Sequence, residues 1–348
     1  MIDSWLATDL DAWTRRVVAR NFAPETGSPY WLARATELDF DPRDITRYDQ
    51  LPAFGPFRLD ALRSGRSEDV VPRDIPRPLV GRIYESGGTT GLPCRVFYTP
   101  EMIRHRGAWR RWSFVIEGFE PGRTWLQATP TGPHLIGHGM TELSELYGCL
   151  VHAIDMDSRW VKRLIRDNRL ADVVAYTDHV VEQIVDCLET QHIDHLNTTP
   201  ALLSALIARR PDLVRQVRGV RLSGTQVSQA QYREFVEAVD GPVGLSYGNT
   251  FGSSAGLPPE DDGATMPYVP NYPQVTTTVV DPDDWRTVLP VGARGRVRLT
   301  ILHDDLFLPN LLERDQATCW NPPGRWPSPG VANVAPLHIS RNAPEGLY

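Results

Sequence analysis

Ser86-Gly87-Gly88-Thr89-Thr90-Gly91-Leu92-Pro93 sets three glycines, which let a backbone approach a ligand closely, beside hydroxyls and amides that donate toward anionic oxygens. That chemistry is a phosphate clamp. It is not a Walker loop, because no Gly-Lys-Ser/Thr occurs and Pro93 is followed by β-formers instead of a helix N-terminus. The competing reading is a hairpin turn of small residues, although a turn has no need of paired threonines. A second constellation is Leu245-Ser246-Tyr247-Gly248-Asn249-Thr250, where an aromatic face beside a hydroxyl suits a purine joined to a phosphoryl group. In a third, the loop read over 130–139, glycines including Gly139 allow close approach, and His134 and His138 can pair with a carboxylate. His138 is the preferred partner, and exposed turn histidines are the alternative. Trp109, Trp112 and Trp125 are able to wall an aromatic substrate, with core packing as their commoner use.

Two further patterns lose force on inspection. Gly252-Ser253-Ser254-Ala255-Gly256 fits a nucleophile elbow, but an elbow runs from a strand straight into a helix, and Leu257-Pro258-Pro259 forbids that helix. His192 and His195 have a metal-like spacing, yet along a strand they point to opposite faces. No metal ligand set is read from the sequence, and Gly137-His138-Gly139 lacks the third glycine of a dinucleotide fingerprint.

The elements that must position these groups follow from periodicity. GRIYE and RVFYT bracket the glycine–threonine loop as two short strands. Helical spacing over 101–117, 158–169, 178–190, 201–209 and 228–239 alternates with apolar runs such as TWLQAT and HIDHLNTT, which predicts a mostly parallel α/β sheet. An amphipathic helix is expected over 8–22 with Thr8-Asp9 as its cap, followed by an irregular arm packed on the core. QVTTTVV and GRVRLTIL suggest a small β-rich subregion. The organisation expected is therefore residues 1–80 as helix and arm, 81–320 as core and 321–348 as an irregular tail.

Beyond these residues, S-G-G-T-T-G-L-P resembles the phosphate loop of the adenylate-forming superfamily, which includes acyl- and aryl-CoA ligases. Further stretches resemble that family's elements in the family's order. Gly224, Thr225 and Gln226 are similar to the segment lining the adenine pocket. Tyr247 to Thr250 resembles the tyrosine-glycine-any-threonine-glutamate motif, with tyrosine on adenine and Thr250 on the α-phosphate. Leu308-Pro309 followed by Glu313-Arg314-Asp315 resembles the segment whose aspartate holds ribose, which implies Asp315. The N-terminal arm resembles the phenylacetate-CoA ligase branch. The resemblance implies ATP with Mg²⁺, the large N-terminal domain of these enzymes as fold, and Ser86, Gly87, Gly88 and Gly91 with Thr89 and Thr90 around the β- and γ-phosphates. Three departures matter: Phe251 stands where the metal-binding glutamate belongs, Asp315 lies two residues closer to the proline, and no counterpart of the mobile C-terminal domain follows Asn321. The metal would then be held by phosphates and water, or by another acid such as Asp304 or Asp305. The pattern resembles truncated phenazine-pathway enzymes that adenylate griseoluteic acid.

Composition bounds the remaining classes. The 348 residues carry 36 Lys and Arg against 43 Asp and Glu, a net −7, so no cation surplus serves a nucleic-acid backbone or an anionic membrane. Four dispersed cysteines fit neither a zinc ribbon nor a disulfide framework and suggest a cytoplasmic setting. The only lysine, Lys162, lies on a basic helix face. The reading is an adenylating enzyme for an aromatic acid that passes its product to a reductase, amine ligase or carrier protein. A catalytically degenerate binding scaffold is the alternative, and a CoA ligase comes third.

Overall fold

Arg82–Glu85 (β1) and Arg95–Tyr98 (β2) are runs of β-branched and aromatic residues that pair antiparallel, Arg82 opposite Tyr98 and Glu85 opposite Arg95, and carry the glycine–threonine loop between them. The computed structural model describes residues 1–88, 91–324 and 326–337. The chain divides into two units. One holds Met1–Arg106, Asn249–Ser254 and the described chain from Tyr268 onward; the other holds Gly107–Gly248 and Ala255–Pro267.

In the second unit, Thr124–Ala128 (β3), Leu150–Ala153 (β4), His195–Thr198 (β5), Val220–Leu222 (β6) and Val243–Gly248 (β7) form a parallel sheet in the order β4-β3-β5-β6-β7. Every residue of β5 and β6 is buried, as expected where helices cover both faces of a parallel sheet. Helices Leu135–Tyr147 and Leu170–Thr190 pack against β3, and Gln229–Ala238 packs against β7. Local chemistry sets their starts. Ser228 caps Gln229–Ala238 in a capping box with Gln231, and Thr199 caps Pro200–Arg209, whose first residue is proline. Phe114, Phe119, Trp125, Met140, Leu143 and Tyr147 make the core beneath β3.

Ser253–Gly256 (β8) and Pro267–Pro270 (β9) fall where the chain passes from one unit to the other. The first unit then continues with Val275–Val280 (β10), Arg294–His303 (β11), Leu306–Trp320 (β12) and Gly330–Pro336 (β13), successive antiparallel neighbours. The N-terminal arm closes over them. Helix Leu10–Phe22, capped by Asp9, sends the Trp13 indole N–H to the Leu302 carbonyl at 2.7 Å, and Trp31 donates to the Phe307 carbonyl at 2.9 Å. Asn310 donates to the carbonyls of Leu51 at 2.8 Å and Gly55 at 3.0 Å. Phe22, Trp31, Phe54 and Phe307 join in one aromatic cluster. Truncating such a ring costs about 3–5 kcal/mol, so the arm is a structural part of this unit.

Three local expectations are corrected. Residues 135–147 are helical, so the expected loop over 130–139 ends at His134. The helix expected from 178 begins at Leu170; its first two turns expose Leu170 and Val174, so no apolar stripe marked them. Gly330–Pro336, where no periodicity was read, is a strand paired with β12. No helix among the described residues is long and apolar enough to cross a membrane.

Candidate functional site

In the first unit the glycine loop is closed at its neck, where the Ser86 amide donates to the Cys94 carbonyl at 2.9 Å and the Ser86 hydroxyl accepts from the Cys94 amide at 2.9 Å. Gly88 at φ +64° and Gly91 at φ +140° occupy backbone that side chains rarely adopt, which is why the loop needs glycine there. Thr89 and Thr90 lie outside the described residues. Cys94 is buried, and burial pushes its thiol up. Thr250 is buried in the same unit on a turn that its neighbour builds. The Asn249 side-chain oxygen accepts from the amides of Phe251 at 2.8 Å and Gly252 at 3.2 Å, while the Asn249 amide donates to the Gly252 carbonyl at 2.9 Å. Gly252 presses on β10 and β11, since a Cβ there would stand 2.7 Å from Ile301.

In the second unit the parallel strands end together, and the C-terminal edge of such a sheet is where α/β folds bind ligands. Gly224, at φ +98°, Thr225 and Gln226 are exposed just beyond β6. Tyr247 is partly exposed and Gly248 exposed at the end of the neighbouring β7. The Ser246 hydroxyl ties the two strand ends by donating to the Leu222 carbonyl at 3.2 Å. Below them Arg221 and Glu117 form an ion pair at 2.8 Å with side chains 3% and 2% exposed, and Arg221 also reaches the Ser113 hydroxyl at 2.9 Å and covers the Phe114 ring at 4.5 Å. Burial pushes the Glu117 carboxyl up, and the Arg221 charge opposes that.

Asp315 lies on β12 at a bulge. Arg296 faces Gln316 and Arg298 faces Leu312, so Glu313, Arg314 and Asp315 together oppose Val297 alone. Arg296 holds the bulge by donating to the carbonyls of Glu313 at 2.7 Å and Leu312 at 3.1 Å, and a cleft opens between Arg296, Arg314, Asp315, Pro336 and Leu337. The Glu313 carboxyl at the bulge is pushed up to about 7, by burial first and the Asp315 charge second.

A protein-held metal does not fit the residues present. Phe251 is buried and, with Tyr98, Met102 and Arg106, lines a small cavity. Asp304 pairs with Arg16 at 2.7 Å; Asp305 accepts from the Thr99 hydroxyl at 2.6 Å and pairs with Arg20 at 3.2 Å. Both aspartates are thus already engaged by arginines of the N-terminal helix. Among the described residues no three His, Cys, Asp or Glu side chains gather as a ligand set.

The histidines of the third constellation have different partners. His134 is buried at the start of helix Leu135–Tyr147, with the Ser158 hydroxyl at 3.2 Å from its Nε2, whereas the Nε2 of the half-buried His138 lies 2.8 Å from the Gly132 carbonyl. Gly139 lies within the helix, where an added Cβ would stand 1.3 Å from an Arg110 guanidinium nitrogen. Its missing side chain therefore seats Arg110, a cation that the sequence reading overlooked. Trp109 and Trp125 are wholly buried. His192 lies before β5 and is exposed, so the alternation expected of a shared strand does not apply to it, whereas His195 begins β5 and is buried among Phe119 and Trp125. β8 ends without a helix, so Ser254 is a buried strand residue. Tyr98 and Glu117 were also missed, and Arg221 and Glu313 carried no role of their own in the sequence. The one signal available was a tyrosine ending a strand next to the loop.

No family model and no curated protein matches the sequence. Among solved structures the chain is similar to 2-hydroxyisobutyryl-CoA ligase. The match to its open conformation in complex with 2-HIB-AMP and CoA has TM-score 0.71 at 16% identity, over 92% of this chain and 72% of that one. The match to its postadenylation state in complex with 2-HIB-AMP has TM-score 0.70 at 16% identity, over 92% and 65%. The chain thus spans about two thirds of the length of these structures. At this identity the likeness establishes the fold, which is that of the large N-terminal domain of adenylate-forming ligases.

Proposed function

We propose that the protein adenylates a carboxylic acid: a carboxylate oxygen attacks the α-phosphorus of ATP, the bond to the β-phosphate oxygen breaks, and acyl adenylate and pyrophosphate result. The acid supplies the electron pair, so the protein's task is alignment and neutralisation of charge at phosphorus. The β- and γ-phosphates are assigned to Ser86, Gly87, Gly88 and Gly91 with Thr89 and Thr90, and the α-phosphate to Thr250. Adenine is assigned to Gly224–Gln226 and Tyr247, with Gly248 and Asn249 connecting base to phosphate, and ribose to Asp315. Mg²⁺ would arrive on the nucleotide's own phosphates. His138, His134 and Gly139, now with Arg110, are assigned to the acid.

The observation carrying this reading is that the hairpin bearing the glycine loop and the Thr250 turn belong to one unit, and that Tyr98, at the hairpin's far end, donates to the Thr250 carbonyl. The acid we favour is aromatic and of a secondary-metabolite, phenazine-like kind. A mixed anhydride hydrolyses readily, so hand-over to a reductase, amine ligase or carrier protein is part of the proposal. The test is pyrophosphate release from ATP and Mg²⁺ with a panel of aromatic acids. Release dependent on one acid supports it; ATP binding without release from any acid supports a scaffold, the second reading, which buried Phe251 favours. Free thioester formed with CoA would make the protein a CoA ligase.

A further inference from the structure

We infer that Tyr98 is a positioning residue that couples the glycine loop to Thr250, an inference that rests on the adenylation reading for its catalytic part. The Thr250 turn satisfies its amides internally, through the Asn249 side chain on Phe251 and Gly252. Two of its carbonyls face outward to the same donor. The Tyr98 hydroxyl lies 3.0 Å from the Thr250 carbonyl and 3.2 Å from that of Phe251, sharing one proton between them. Tyr98 is 4% exposed, and its ring meets Tyr84 edge-on at 5.2 Å, so packing fixes the hydroxyl's direction.

Tyr98 is also the last residue of β2, and an unbroken ladder connects it to the loop. The pairs run from Arg82 with Tyr98 to Glu85 with Arg95, and the Ser86–Cys94 hydrogen bonds follow. A hairpin of this kind moves as a piece, so a shift of the loop around a phosphate reaches the Tyr98 ring and, through the hydroxyl, the backbone of Thr250. Buried carbonyls that lose their donor pay desolvation in full, which keeps the coupling in place.

Tyr98→Phe retains the ring packing and deletes the donor. Amide hydrogen exchange of residues 249–252 in the otherwise intact protein should accelerate about tenfold, about 1.4 kcal/mol. The rate of acid-dependent pyrophosphate release at saturating ATP should fall about tenfold while KM for ATP changes less than about threefold, a split that a loss of general stability does not produce. Unchanged exchange at 249–252 overturns the coupling whatever happens to turnover, and faster exchange with unchanged turnover overturns the catalytic part. If the wild type adenylates no acid, faster exchange still supports the tether, and only the adenylation reading fails. Should the variant not fold, ATP added to the wild type must protect 82–98 and 249–252 together; protection of the hairpin alone overturns the proposal.

Discussion

Replacing Glu313 by glutamine should make the protein more stable above pH 7 and leave its stability unchanged near pH 4.5. The folded carboxyl is pushed up to about 7 from an ordinary 4.5, with burial as the first cause and the neighbouring Asp315 charge as the second; Asn249, Arg314 and Arg296 only partly offset them. Between those two values the folded chain holds a proton that the unfolded chain has released, so stability falls as pH rises through this window and the full cost is present above pH 7. A rise of about 2.5 units at 1.36 kcal/mol each is about 3 kcal/mol. With an unfolding entropy of about 0.7 kcal/mol/K for a chain this long, that is about 4–5 °C in Tm. Glutamine keeps the shape and cannot ionise. Melting curves of both proteins from pH 4.5 to 9 should therefore coincide at the acid end and separate in the glutamine variant's favour toward pH 8. Parallel curves across the whole range would mean that Glu313 ionises normally and that its burial at the bulge carries no cost.

Arg221→Met should destabilise by about 3–5 kcal/mol, because Glu117 is left buried and unpaired, and adding Glu117→Leu should restore most of the loss; denaturant unfolding of the single and double variants checks this. His303, held down to about 3 by burial first and the Arg20 charge second, stays neutral in the folded state. Stability should therefore decline as pH falls from about 6.5 toward 3, by about 4–5 kcal/mol in all, and His303→Asn, which keeps an acceptor for the Asp305 amide, should flatten that acid limb. Thr250→Val keeps the shape of the side chain and removes its hydroxyl; turnover should fall far more than ATP affinity, and unchanged turnover would remove Thr250 from the phosphate site. Gly139→Ala must displace the Arg110 guanidinium, and KM for the acid should rise with KM for ATP unaffected.

Which parts of this protein were legible follows from how each part is encoded. The parallel sheet was readable because short strand-like runs alternate with amphipathic helices, and Ser228 with Gln231 announces its helix start locally. The hairpin under Ser86–Gly91 was readable because positive-φ glycines leave a compositional mark. The start of the helix at Leu170 was not, because a solvent-facing turn has no stripe to display. Strand β13 escaped because its partner, β12, has to be in place before its residues have anything to pair with.

The candidate site divides along the same line. Glycines and hydroxyls that would touch a ligand directly are contiguous in sequence and were named. The groups that hold them are paired across the chain: Tyr98 acts on Thr250 from 152 residues away, and Arg221 meets Glu117 over 104. Phe251 belongs to this second kind. Read alone, it is a lost metal ligand; in the fold it is a buried wall residue beside Tyr98, on the turn whose carbonyls Tyr98 binds. A glutamate at this buried position would take a carboxylate out of water, at a desolvation cost that phenylalanine avoids. Phe251 thus gives Thr250 an uncharged, buried neighbour. Phe251→Glu should accordingly lower stability and accelerate amide exchange over 249–252, and a variant that instead melted with the wild type would show that position 251 is free to turn toward solvent.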